Sequence, residues 1–331
     1  MSITGVSVAD ETPSPGGRPP LTGDRAGTGR FGDRLFGGAA TGAGVTVIAL
    51  VSLIGAFLLW QAIPALARNE ANFLTSREWV VAGEHPRFGI VELLWTTVAS
   101  SLIAMAIAVP VGVCVALFIT QYAPRWLSRP AASLVDLLAA VPSIIYGLWG
   151  LNTFLPVEKP LEEFIQRWLG WFPLFSMTSI SGGTIFFIGI VLSIMVLPIV
   201  TALSREVFAQ TPVTHKEGAL ALGVPKWKTI VKVVLPTAFS GIVTGILLGL
   251  ARVMGETAPL LILGPYTKSI ATDLFGGLMP TLPTMINQDR NELAQAAAAE
   301  RVWAAALTLI LLVLVLNIAG RVVARFGSVK K

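Results

Sequence analysis

Apolar residues in this chain come in long runs separated by short polar stretches. Six runs are long enough to cross a bilayer, at roughly 43–66, 93–120, 132–156, 184–204, 236–263 and 302–324. About 20 residues, each rising about 1.5 Å, span the hydrocarbon core as a helix. The pattern therefore predicts an all-α integral membrane protein with six transmembrane helices, occupying residues 43–325. The second run is long and holds Pro110, where a kink or a tilt is expected. Residues 1–42 read as a tail before the first span, and 326–331 as a short C-terminus. The first 34 or so are rich in Gly, Pro, Ser and Thr and bury too little apolar surface to offset ordering entropy, so disorder is expected. The first apolar run starts late and is too long for a secretory leader.

A different period governs "LEEFIQRWLGWF", residues 161–172. Leu161, Phe164, Ile165, Trp168, Leu169 and Phe172 recur at helical spacing, with Glu162, Glu163, Gln166 and Arg167 between them. This predicts an amphipathic helix lying on the outer surface of the membrane, or one packed on the ends of other spans.

Composition agrees with a membrane protein. The chain of 331 residues is 54% hydrophobic and 13% charged, with a mean hydropathy of +0.73; soluble domains carry about 25% charged residues. The net charge of +5 is not gathered into a patch, which argues against nucleic acid as a partner. Arg18, Arg25, Arg30 and Arg34, then Arg125 and Arg129, then Arg205, Lys216, Lys226, Lys228 and Lys232, and finally Arg325, Lys330 and Lys331 fall on one side if all six runs span. Segments 67–92, 157–183 and 264–301 lie on the other. Because basic loops stay inside, both termini are expected in the cytoplasm.

Few residues invite covalent chemistry. Cys114 is the single cysteine and sits in an apolar run, where packing is its expected role. His85 and His215 fall on opposite sides of the membrane, so no metal site is expected. No Gly-Lys dipeptide occurs, which excludes the loop that cradles nucleotide phosphates. No cofactor is expected on this chain; if ATP drives it, ATP and Mg belong to another.

Between the fourth and fifth spans runs "SREVFAQTPVTHKEGALALGVPKWKTIVKVVLP", too ordered for a plain connector. Pro212 suits a first helical turn, and Thr214 with Glu217, or Thr211, offers a cap. Gly223 followed by Pro225 is a stop signal. A short helix over about 212–222 is expected, then a turn, then a second helix from about 225 leading back into the membrane. Such a helix on the cytoplasmic face is a docking element or a plain surface helix.

Glu217, Ala219, Gly223 and Val233-x-Leu235-Pro236 resemble the EAA loop of ABC importer permeases, here over about 205–236, with Gly218 in place of the first alanine and Val233 in place of isoleucine. The resemblance implies a type I ABC importer permease fold with a cytoplasmic coupling helix that docks into an ATPase subunit. "LVDLLAAVPSIIYGLWGL" (134–151), "AVPVGVCVALFITQYAP" (108–124) and "LSREVF" (203–208) are similar to PstC subunits of phosphate importers. "GETAPLL" (255–261) looks more like the partner subunit PstA. The resemblance covers about 43–324. It implies no enzyme activity in this chain and a bacterial cell-membrane location. It also implies a PstA-like permease, a PstB-like ATPase dimer and a PstS-like phosphate-binding protein as partners, with inorganic phosphate as cargo. A permease for another oxyanion (sulfate, molybdate or tungstate) would share the loop, and an ion-coupled secondary transporter would need no ATPase.

Charges within a span are costly, and Arg252 and Glu256 stand one helical turn apart near the end of the fifth. Gly241, Gly245 and Gly249 form a stripe that lets another backbone approach closely, and Glu256 falls near that stripe, so both charges are expected to face protein. Two roles remain open: a pair that satisfies itself, or a phosphate pathway site, where the Arg252 fork meets the anion and Glu256 restrains it when phosphate is absent. Thr257 follows directly. Asp136 is expected to pair with Arg125 or Arg129. Pro142 and Gly147 break the third span, and the hydroxyls of Ser143 and Tyr146 either line a path or mark a plain kink.

Overall fold

The computed structural model describes residues 30–80, 85, 87–176, 183–263, 274–275, 280–289 and 296–327. Two compact units divide the chain, one ending at Ile54 and the other starting at Gly55. In the first, the described residues are the opening part of helix α1 (Arg30–Arg68). Thr41 and Thr46 donate their hydroxyls one turn back, to the carbonyls of Gly37 and Gly42 at 2.8 Å each. The helix thus begins inside the segment assigned to the tail, at Arg30 and not at residue 43. Its reason is local: after Pro20 no proline interrupts the chain until Pro64.

The second unit is built from α2 (Val91–Leu117), α3 (Arg125–Ala139), α4 (Ser143–Trp149), α5 (Leu155–Leu169), α6 (Ile185–Ala209), α7 (Val213–Ala221), α8 (Lys226–Thr229), α9 (Leu235–Met254), α10 (Ala258–Ile262), α11 (Leu282–Asp289) and α12 (Ala296–Gly327). Five helical stretches are long and apolar enough to cross a membrane: Phe31–Arg68, Val91–Tyr122, Ile185–Ala209, Lys226–Ile262 and Val302–Arg325. The expected third span is different. It is divided into Arg125–Ala139 and Ser143–Leu169, bent by 89°, because Pro142 drives Val141 out of the helical region; counting the bent pair as one span brings the number to six.

Prolines also set finer geometry. Single π-helical turns occupy Phe118–Tyr122, Gly150–Phe154 and Ile230–Val234, and each ends two residues before a proline, Pro124, Pro156 or Pro236. A proline ring displaces the carbonyl four residues back; at Gly150–Phe154 and Ile230–Val234 a widened turn accommodates the displacement and the helix continues into α5 and α9, whereas after Phe118–Tyr122 the chain leaves the helix at Ala123.

Helix α6 is the centre of the unit, packed between α2 and α9. On α2, Ser100, Ala104, Ala108, Gly112 and Ala116 recur every four residues and are buried. Small residues on this face admit α6 closely: a Cβ at Gly112 would lie 3.1 Å from Val200 Cγ1. Cys114 falls off that face and is exposed, contrary to the packing role expected of it. Apolar side chains also cover the outside, among them Leu311, Leu314, Val315 and Ile318 of α12, as contact with lipid requires. Without a hydrophobic drive between helices in lipid, close van der Waals packing of this kind holds the bundle.

Three features of the segments between the spans were not anticipated by the sequence pattern. Strands β1 (Trp79–Val80) and β2 (Arg87–Phe88) pair antiparallel, Trp79 opposite Phe88. Helix α11 is buried through Leu282 and Met285, and its Leu282 N–H donates to the Thr97 hydroxyl of α2 at 2.9 Å. Helix α5 exposes Phe164, Trp168 and Leu169, as a helix whose apolar face lies against the membrane would, but it buries Glu158 and Glu162. These two carboxyl groups are inward because they have partners there, at the start of α6; Glu163 and Arg167 remain exposed.

Candidate translocation site and coupling loop

Two helix breaks meet in the bundle. Helix α3 stops at Ala139, leaving carbonyls without the next turn; Tyr146 of α4 reaches back and donates its hydroxyl to the Leu138 carbonyl at 2.8 Å. The Tyr146 hydroxyl thus braces the break. Helix α9 stops at Met254, and Gly255, Glu256 and Thr257 lead into α10. A Cβ at Gly147 would stand 2.6 Å from Pro259 Cα and 2.8 Å from its carbonyl oxygen. Only glycine permits this approach. The stretches 141–147 and 255–259, far apart in sequence, are therefore in contact.

Arg252 closes α9, and its Nη2 lies 3.4 Å from Glu256 Oε1. The glycine stripe behaves as expected: Cβ atoms at Gly241, Gly245 and Gly249 would meet Val207 Cγ1 at 2.5 Å, Leu203 Cβ at 3.2 Å and Val200 Cγ2 at 3.2 Å, all on α6. Glu256 is turned into the protein, 11% exposed, but Arg252 is 44% exposed. The expectation that both face the interior thus holds for Glu256 alone. Its premise was a helix continuous to residue 256, and α9 ends before that. Ser143 and Thr257 are half-buried, on the α4 and α10 sides of the same contact. The site is therefore a seam with one basic and one acidic group, open on the Arg252 side.

The loop expected to couple to an ATPase is separate from this seam. Helix α7 carries Glu217 and Ala219 and ends in a turn in which Gly223 has φ +74°, a left-handed conformation that side chains disfavour. Its N-cap is Pro212, with no side-chain cap, so neither Thr214 nor Thr211 caps it; proline's fixed φ already sets the entry. Val213, Leu220 and Leu222 are exposed around it, Leu222 by 85%. Beyond the turn, Lys226 lies over the Tyr122 ring, 4.7 Å from its centroid, joining α8 to the end of α2. Leu235 and Pro236 open α9 after the π turn.

Two polar clusters escaped the sequence reading. Arg205 of α6 binds both Asp136 oxygens through Nη2, at 2.9 and 3.1 Å, so Asp136 pairs with neither Arg125 nor Arg129. The bend after α3 brings Asp136 to α6. Glu158 and Glu162 converge on Thr184, the N-cap of α6. Their i, i+4 spacing was a usable signal for that second cluster.

The model of the family described as binding-protein-dependent transport system inner membrane component matches residues 108–326. The chain belongs to this family. The permease is 45% identical over 300 residues to phosphate transport system permease protein PstC 2 of Mycobacterium bovis, covering 89% of this chain and 92% of that one. It is 44% identical over 296 residues to PstC of Mycobacterium leprae, covering 88% and 92%. To PstA 1 of Mycobacterium tuberculosis it is 35% identical over 287 residues, covering 86% and 85%. Among solved structures, the inward-facing MetNI methionine ABC transporter has a chain similar to the permease at TM-score 0.51 and 20% identity, covering 73% of this chain and 95% of that one; the likeness extends to the fold. The matched residues include both helix breaks and the whole of α7.

Proposed function

We propose that this permease forms half of the membrane pathway of an ATP-driven phosphate importer, with Arg252 as the residue that meets the anion. The observation that carries this reading is the seam itself: two helix breaks held together at Gly147 and Pro259, with an arginine at its open side. A guanidinium fork matches two phosphate oxygens. Glu256 holds that fork between transport events, at a distance long enough for phosphate to compete. Ser143 and Thr257 supply hydroxyls on the two sides of the seam, while Tyr146 holds the break in place. Resemblance to PstC and PstA proteins supports phosphate as cargo.

The chain binds no cofactor of its own in this reading. A PstA-like permease completes the pathway on the exposed side of Arg252, a PstS-like protein delivers phosphate, and ATP with Mg is used by a PstB-like dimer. Glu217, Ala219, Gly223, Leu235 and Pro236 belong to the element that receives the ATPase stroke, which moves the helices as rigid bodies. Both termini lie in the cytoplasm.

Reconstitution with these partners in liposomes tests the proposal. Phosphate should accumulate only with ATP and the binding protein, and excess sulfate or molybdate should not compete. Competition by sulfate, or uptake without the ATPase, would overturn it.

A further inference from the structure

We propose that Glu158 and Glu162 hold one proton between them and form a pH-sensitive clasp that fastens α5 to the start of α6. The hydrogens available around Thr184 require that proton. The Thr184 hydroxyl oxygen lies 2.8 Å from Glu158 Oε1 and 2.5 Å from Glu162 Oε1, and it also accepts the Phe187 N–H at 3.1 Å. A hydroxyl has one hydrogen to give and two lone pairs to receive. Two ionised carboxylates would need two hydrogens from Thr184, so one carboxyl brings its own. Glu158 also accepts the Gly183 N–H on Oε2, at 3.2 Å, and receives the Thr184 hydrogen. Glu162 is the neutral one, donating O–H to Thr184.

Burial makes the shared proton costly to lose. The two residues are 1% and 2% exposed, and two bare carboxylates at such a site repel with little water to screen them. The Gly150–Phe154 turn, the Pro173–Phe175 turn and the first turn of α6, all packed near α5, carry no ionisable side chain. Among the described residues, Lys159 on α5 itself is the cation that acts on the pair; Glu163 and Arg167 lie on the exposed side of the same helix.

The consequence is mechanical. As pH rises the proton leaves as water forms from hydroxide, the Glu162–Thr184 bond loses its hydrogen, and the carboxylates push apart. The other anchor of α5, Phe154 stacked on Phe187 at 5.5 Å, does not titrate. Helix α5 then swings from Phe154, and its exposed aromatic face moves with it. On the topology proposed above, the clasp faces outside and senses external pH.

Spin labels at Phe164→Cys and Ile194→Cys, in a Cys114→Ser background of the full-length permease in its complex, read the α5–α6 distance. The distribution should be narrow at neutral pH and broaden reversibly under alkaline conditions. Glu162→Gln keeps an N–H donor for Thr184 without a titrating proton, so its distribution should stay narrow throughout. Lys159→Met should shift the broadening to higher pH, because losing a nearby cation favours the protonated pair. No pH dependence in the unsubstituted pair, or the same broadening in Glu162→Gln, would overturn the proposal. If Glu162→Gln fails to fold, the Lys159→Met shift decides, and its absence counts against the clasp.

Discussion

Gly147 and Pro259 touch backbone to backbone, with no room between them for a methyl group. This contact joins the break between α3 and α4 to the break between α9 and α10. Backbone atoms cannot rotate aside as side chains do, so Gly147→Ala must separate the two segments. Overpacking of this kind costs about 1–3 kcal/mol. A lower melting temperature of the purified subunit and reduced phosphate uptake are expected; wild-type values for both would show that the seam is loose.

Glycines in and after α7 should respond in opposite ways. Gly223 needs φ +74° although the space around it is open, so Gly223→Val should cost about 1–2 kcal/mol locally and weaken ATPase association and uptake. Gly218 lies within the helix, also in open space, and Gly218→Ala should stabilise α7 by about 0.8–1.0 kcal/mol with coupling intact. Co-purification of the ATPase and stimulated ATP hydrolysis measure both. Unchanged ATPase docking in Gly223→Val would remove α7 from the coupling role.

Four variants separate the two roles of Arg252. If it meets phosphate, Arg252→Gln should abolish uptake in a complex that still assembles and hydrolyses ATP, and Arg252→Lys should recover part, keeping the charge without the fork. Glu256→Gln should leave assembly intact and alter uptake. The double change Arg252→Gln with Glu256→Gln should remain inactive. Uptake by the double variant near the wild-type rate would make the pair structural.

The bridge from Arg205 to Asp136 crosses from α6 to α3 and is partly exposed. A double-mutant cycle with Asp136→Ala and Arg205→Ala should give a coupling energy of about 0.2–1 kcal/mol. The corresponding cycles with Arg125→Ala and Arg129→Ala should be additive. Coupling to Arg129 in place of Arg205 would contradict the observed pairing.

Orientation is open to labelling. In a Cys114→Ala background, needed because Cys114 is exposed, His85→Cys should react with an impermeant reagent from outside and Lys226→Cys only from inside. Reaction of both from outside would refute cytoplasmic termini.

Periodicity and length alone determined the membrane class, the positions of most spans and the short helix before Gly223. These depend on local chemistry: apolar runs as long as a bilayer is thick, and a glycine where the chain must turn left-handed. The residues of the seam were also legible, since Arg252, Glu256, Pro142 and Gly147 break local rules within apolar segments. Tertiary structure decided who meets whom. Nothing local tells that Gly147 closes on Pro259, or that Asp136 crosses to Arg205, because both contacts depend on the 89° bend and on how α6 packs. The helical period of α5 located its apolar face, which is exposed as an interfacial helix requires, but did not tell that Glu162 would turn inward. In water the apolar face is buried almost by default, but beside lipid that preference vanishes, and the carboxyl groups of Glu158 and Glu162 went where Thr184 and Gly183 could bond them.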